Sequence, residues 1–176
     1  LEDPCEFARQ VKEVLDTNGI WVLEQSYMPE MWRVNSFDTI CHEHLSYYGM
    51  RQIKYIMDKV GFTILDFEFN DVNGGSISVT VSPTGTECTT KLVGVLALEK
   101  EMKFHTVEPW KEFSEKMEEN KNKFLEIIGD FREQGLKIAG LGASTKGNVT
   151  LQTWGVTKEY IKMVGDVNPD KTNCFT

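Results

Sequence analysis

Hydrophobic residues recur at helical spacing over "DPCEFARQVKEVLDTNG", where Phe7, Val11 and Val14 or Leu15 make one stripe. Asp3 followed by Pro4 predicts the start of this helix, and Asn18-Gly19 its end. "IWVLEQSY" comes next, a short continuous apolar run that predicts a buried strand and, with the helix before it, an αβ unit of a parallel sheet. "RQIKYIMDKVGF" returns to helical spacing through Ile53, Ile56, Met57 and Val60 and stops at Gly61. "FTILDFEFN" and "SISVTVSP" then read as two strands, with Ile77, Val79 and Val81 alternating and Asn73-Gly74-Gly75 suited to a hairpin. From Thr86 the pattern changes to two helices, "TECTTKLVGVLALEKEM" and "EPWKEFSEKMEENKNKFLEIIGDFREQG". The second carries Trp110, Phe113, Met117, Phe124, Ile127 and Phe131 on one stripe, which predicts a core face. "LKIAGLG", "ASTKGNVTLQTWG" and "YIKMVGDVNP" follow as strand, helix and strand, a βαβ unit.

The expected fold class is therefore α/β. Residues 1–84 would form the closing portion of one sheet ending in an antiparallel pair, and residues 85–176 the beginning of a second α/β domain. Both ends read as cut, so the expectation is an internal piece of a longer chain.

Composition narrows the function. Forty per cent hydrophobic and 26 per cent charged residues describe an ordinary globular protein. A net charge of −8, with no basic patch, argues against nucleic-acid binding. No apolar run approaches the roughly 20 residues of a membrane span. Four cysteines without a CxxC pair fit a reducing, cytoplasmic setting better than a disulfide scaffold or zinc knuckle.

Two stretches carry candidate chemistry. In "SFDTICHEHLSYYGM", His42, Glu43 and His44 stand in a row just past the carboxyl end of the predicted strand, where α/β sheets place ligands. Three readings stay open on the residues alone. A histidine beside a carboxylate can take a proton near neutral pH. Two histidines at i and i+2 can share a metal, although His105 and the cysteines offer no matching further ligand. A polar loop is the third. In "GLGASTKGN" a glycine-bearing strand-to-helix turn can aim backbone amides at an anion or simply pack tightly. Asn148 after Gly147 excludes a Walker A loop, and Thr145 breaks the dinucleotide fingerprint. Asp166 at the end of the next strand would contact a ribose or cap the Val167-Asn168-Pro169 turn. Trp110, Phe113 and Phe124 read as core, Cys41 as a small buried hydrophobe and His105 as solvated.

Taken together, "FDTICHEHLSYYGM", "NGGSISVTV", "KIAGLGASTKGNVTLQTWGV" and "VGDVNPDK" resemble, in order and spacing, the nucleotide-sugar C-methyltransferases. These are S-adenosylmethionine-dependent transferases of deoxysugar biosynthesis that methylate C3 of a 4-keto sugar nucleotide. The resemblance implies that residues 1–84 are the C-terminal portion of a class I methyltransferase domain and 85–176 part of a Rossmann-like C-terminal domain. It implies S-adenosylmethionine as cofactor, with its main binding loop outside these residues, and a nucleotide sugar as small-molecule partner. It implies His44 as general base, with Glu43 orienting the histidine or protonating the sugar. Gly142, Ala143, Ser144, Lys146 and Asn148 would face the nucleotide sugar, and Gly74 and Gly75 would shape the cleft or make a tight hairpin. No metal is implied in these residues. One position departs: the family usually has a tyrosine before the His-Glu-His triplet, and this chain has Cys41. Two other readings remain, a nucleotide-sugar binding module that has lost methyl transfer and a metal-dependent enzyme using His42 and His44.

Overall fold

The structure, a computed structural model, describes residues 2–175. It is mixed α/β and divides into two compact units, one of residues 1–36 and 44–111, the other of residues 37–43 and 112–176. The change of pattern at 84/85 does not coincide with this division, because the helix that follows it, α4 (Thr89–Glu101), packs in the first unit against α3 (Met50–Val60).

In the first unit, α1 (Pro4–Val14) starts where Asp3 Oδ1 accepts the amides of Cys5 and Glu6 at 2.8 and 2.9 Å. It ends earlier than Asn18-Gly19 foretold, at a Leu15 cap in extended conformation. Ala8 is buried, while Cys5, Val11 and Leu15 pack on the core; Val14 points to solvent and Phe7 is 40% exposed. Lys12 reaches across to cap α3, donating to the carbonyls of Val60 and Gly61 at 2.9 and 2.8 Å. The helical stripe of α3, Ile53, Ile56, Met57 and Val60, is buried as its spacing predicts, and Gly61 ends it in the left-handed conformation.

The sheet holds β1 (Trp21–Ser26), β2 (Thr63–Asn70) and β3 (Ser76–Ser82) in the order β1-β3-β2. β3 runs antiparallel to both neighbours, so the expected β2–β3 hairpin is present and β1 runs in the same direction as β2 without touching it. This corrects two expectations for β1. Its described ladder partner is antiparallel, and it is not buried: half-buried and exposed positions alternate, with Val22 57% exposed. The cause is position, since among the described residues β1 is an edge strand. Ile77, Val79 and Val81 on the central strand have no solvent exposure and, with Ile64, Phe67, Met50, Met57 and Leu92, make the core. Burying each such side chain contributes about 1.5–3 kcal/mol, so the centre of this unit is β3 and what packs on it.

In the second unit, β4 (Ile138–Leu141) and β5 (Ile161–Gly165) pair in parallel, with α6 (Thr145–Thr153) between them in sequence, which is the expected βαβ unit. A short 3₁₀ turn, Phe37–Thr39, packs on α6, where the Phe37 ring lies 4.9 Å from Trp154. α5 (Glu108–Glu133) also sends Phe124 to Trp154, 5.5 Å between ring centroids. Its stripe is shifted from the expected one: Phe113 and Ile128 are buried, whereas Ile127 and Phe131 are exposed. Two elements were not foreseen, the Phe37–Thr39 turn and α2 (Met28–Arg33).

Candidate functional site

The His-Glu-His segment lies in a long excursion between β1 and α3. α2 opens it, with Pro29 in the first turn as the fixed φ of proline suits. Cys41, His42 and Glu43 form a turn, and residues 44–47 continue without regular structure. His42 and Glu43 are exposed, while Cys41 and His44 are half-buried. Adjacent in sequence, Glu43 and His44 fall in different units, His42 and Glu43 with the second and His44 with the first. Among the described residues no group of three or more His, Cys, Asp or Glu side chains is placed to hold a metal ion. All four cysteines are free thiols, and His105 is exposed.

The segment rejoins the first unit at a defined point. The amide of Met28 donates to the Tyr48 carbonyl at 2.9 Å, and Tyr27 and Tyr48 form an isolated parallel bridge. The amide of Tyr27 in turn donates to the Gly75 carbonyl at 3.0 Å. Gly75 comes so close to α2 that an added Cβ would lie 2.1 Å from Glu30 Cγ. Gly74 and Gly75 thus shape this junction, with backbone φ of 83° and 120°. Tyr27 is buried, and its hydroxyl donates to Glu99 Oε1 at 2.8 Å. Burial first, and then the Glu99 carboxylate, push its pKa well above the usual tyrosine range, so it stays a neutral donor. Sequence reasoning missed Tyr27 and Glu99. They lie 72 residues apart, and Glu99 in a Leu-Glu-Lys run looks like one more solvated helix charge. Beside them a cleft of about 610 Å³ is lined by Tyr27, Phe67, Phe69, Lys91, Val95 and Met102, among others.

The second candidate, the turn between β4 and α6, is largely self-satisfied. The amide of Gly142 donates to the Gly165 carbonyl at 2.6 Å, and Ala143 donates to Asp166 Oδ2 at 2.8 Å. Ser144 caps α6: its hydroxyl accepts the Gly147 amide at 3.1 Å and its carbonyl the Asn148 amide at 2.9 Å. Asp166 also accepts from the Asn168 amide and from Lys171 Nζ, each at 2.9 Å. These three donors, Asn168 first, hold its carboxyl down to a pKa of about 2. Of the two roles open to Asp166 from the sequence, the structure shows the cap. The amides of Ser144, Thr145 and Lys146 have no acceptor, and Lys146 makes no ion pair, among the described residues. The five candidates also divide by side. Ala143 and Asn148 line a cavity of about 440 Å³ with Asp166, while Gly142, Ser144 and Lys146 line a groove of about 640 Å³ with Phe124 and Trp154.

Residues 71–176 match the family model described as C-methyltransferase C-terminal domain. The chain belongs to this C-methyltransferase family. It is also similar to C-methyltransferase NovU of Streptomyces niveus, 29% identical over 168 residues that cover 94% of this chain and 40% of that protein. The chain therefore spans about two-fifths of the length of this curated relative. In this C-methyltransferase family member the matched region takes in Gly74, Gly75, the β4–α6 turn and Asp166, whereas the His-Glu-His segment precedes it. Among the described residues no helix is long and apolar enough to cross a membrane.

Proposed function

We propose that this chain is part of an S-adenosylmethionine-dependent C-methyltransferase that acts on a 4-keto nucleotide sugar. What supports the reading most is the similarity to a C-methyltransferase over nearly the whole chain, including the stretch before residue 71 that carries the triplet. His44 is the general base. Its imidazole removes a proton from C3 as the C–H electron pair moves toward the ketone oxygen; a bound methyl donor would supply the methyl group to the enolate carbon as its bond to the sulfonium sulfur breaks, the electron pair staying on sulfur. Glu43 orients the imidazole or returns a proton to the sugar oxygen, and His42 has no chemical step.

S-adenosylmethionine supplies an electrophilic methyl group when bound, but the turn between β4 and α6 does not offer a cradle for it. The glycine-bearing turn has its Gly142, Ala143 and Gly147 amides bonded within the chain. The chemistry assigned to this chain is that of the sugar. The amides of Ser144, Thr145 and Lys146, at the positive end of α6 and without an acceptor among the described residues, and the Lys146 ammonium, which has no ion partner among them, form the diphosphate subsite. Gly142, Ala143 and Asn148 contribute the shape of the turn instead of donors from their backbone. The free thiols suit a cytoplasmic enzyme. The test is His44→Ala in the full-length protein that carries these residues. Methyl transfer should be abolished while nucleotide-sugar binding stays within a few-fold; near-normal turnover would remove His44 from the mechanism.

A further inference from the structure

The carboxylate of Glu99 turns inward from α4 and meets the first turn of α3. Oε1 accepts the Met50 amide at 2.6 Å as well as the Tyr27 hydroxyl, and Oε2 accepts the Arg51 amide at 3.0 Å. Helix N-terminal amides need an acceptor, and a residue at the N-cap usually supplies it. Here the N-cap is Gly49, which has no side chain to offer. The acceptor comes instead from a helix about 50 residues further on, and it adds a negative charge at the positive end of the α3 macrodipole. The fit is close: a Cβ on Gly49 would lie 2.9 Å from Glu99 Oε1. The Gly49 amide is held separately by Gln52 Oε1 at 3.0 Å. Tyr27 completes the arrangement at the end of β1, where its backbone bridges Tyr48 and its hydroxyl reaches Glu99. The stretch Tyr48–Arg51 is thus fixed from β1, α2 and α4 together, and it begins only four residues after His44.

We propose that Glu99 and Tyr27 are a positioning pair for His44, setting the backbone where the segment carrying His44 rejoins the core and so the placement of its imidazole. Neither residue takes part in proton transfer. The consequence for turnover rests on the reading of His44 as base, but the placement itself can be read without any turnover.

The test uses the chain with isotopically labelled histidine, in which His42, His44 and His105 report separately by NMR. Glu99→Ala and Tyr27→Phe should each move the His44 ring signals while leaving those of His105 unchanged, with Glu99→Gln partly restoring the wild-type values. Val81→Ala, at a fully buried position on β3, serves as a destabilised control and should leave His44 in place. In the full-length enzyme, Glu99→Ala should lower kcat by roughly 10- to 100-fold, as expected of a misplaced catalytic group, with KM changed far less. Unchanged His44 signals in Glu99→Ala or Tyr27→Phe, or an equal shift in Val81→Ala, would reduce the pair to ordinary structural contacts. If Glu99→Ala does not fold, Tyr27→Phe and Glu99→Gln make the same decision, and unchanged His44 signals in both would overturn the proposal. Loss of turnover in His44→Ala tests the base and the ring signals test its placement, so either can fail alone.

Discussion

The glycines of the first unit offer a graded experiment on the junction beneath the His44 segment. Gly75 has φ 120°, a backbone conformation an L side chain rarely adopts, and an added Cβ would lie 2.1 and 2.7 Å from Glu30 Cγ and Cβ. Gly74 shares the positive φ, at 83°, but its added Cβ meets only the Ser36 side chain, the nearest atom at 3.3 Å. Gly94 sits inside α4 with nothing within 4 Å of an added Cβ. Backbone strain alone costs about 1–2 kcal/mol for alanine at a positive φ. Gly74→Ala should therefore lose about that amount. Gly75→Ala adds overpacking of about 1–3 kcal/mol against α2, giving a total of about 2–5 kcal/mol. Gly94→Ala should gain about 0.5–1 kcal/mol from helix propensity. Urea unfolding followed by circular dichroism, with the three variants measured side by side, gives the order directly. Gly75→Ala as mild as Gly74→Ala would refute the close packing of α2 on the hairpin, and with it the support under Tyr27, whose amide bonds to Gly75.

Three further outcomes follow from other parts of the molecule. Val79→Ala, at a fully buried position on the central strand, should cost about 2–3 kcal/mol by loss of buried methyl groups plus a cavity, measurable as a lower Tm. For Asp166, the folded-state pKa lies below the value of an unpaired carboxyl, so its contribution to stability is complete above about pH 4 and is lost as pH falls toward about 2. Asp166→Asn should remove that acid-dependent step and speed amide hydrogen exchange at Ala143 and Asn168; unchanged exchange would contradict the cap. Calorimetric titration of the chain with dTDP should show binding that Lys146→Ala weakens by about tenfold, the magnitude of one charge-assisted hydrogen bond. Equal affinity in the variant would move the diphosphate elsewhere.

How much of this was legible depended on whether a feature is local. α3 and β3 could be read because Ile53, Ile56, Met57 and Val60, and Ile77, Val79 and Val81, repeat at the period of the element they build and are buried there. The βαβ unit of the second half was legible for the same reason, helped by its punctuating glycines. β1 misled because an apolar run looks the same whether or not neighbours cover it, and Val22 is exposed. α2 left little signal: it is six residues long, contains Pro29, and has no side-chain cap. The division into units cannot be seen as a change of composition, since residues 37–43 and the later part of α5 join the second unit through tertiary packing. At the candidate sites, residue types in the triplet and the glycine turn suggested chemistry. The internal bonding of Ala143 to Asp166 and the Tyr27–Glu99–α3 contacts join residues 23 to 72 positions apart, and no local pattern encodes them.

The proposed role of His44, taking a proton from the carbon beside a sugar ketone, can be read without methyl transfer. The full-length protein is incubated in deuterated water with a dTDP-4-keto-deoxysugar, without the methyl donor, and deuterium entry at C3 is followed by NMR. Exchange at C3 should run well above the rate in buffer and fall to that background in His44→Ala. No exchange by the wild type, or the same exchange in both proteins, would rule out His44 as the base.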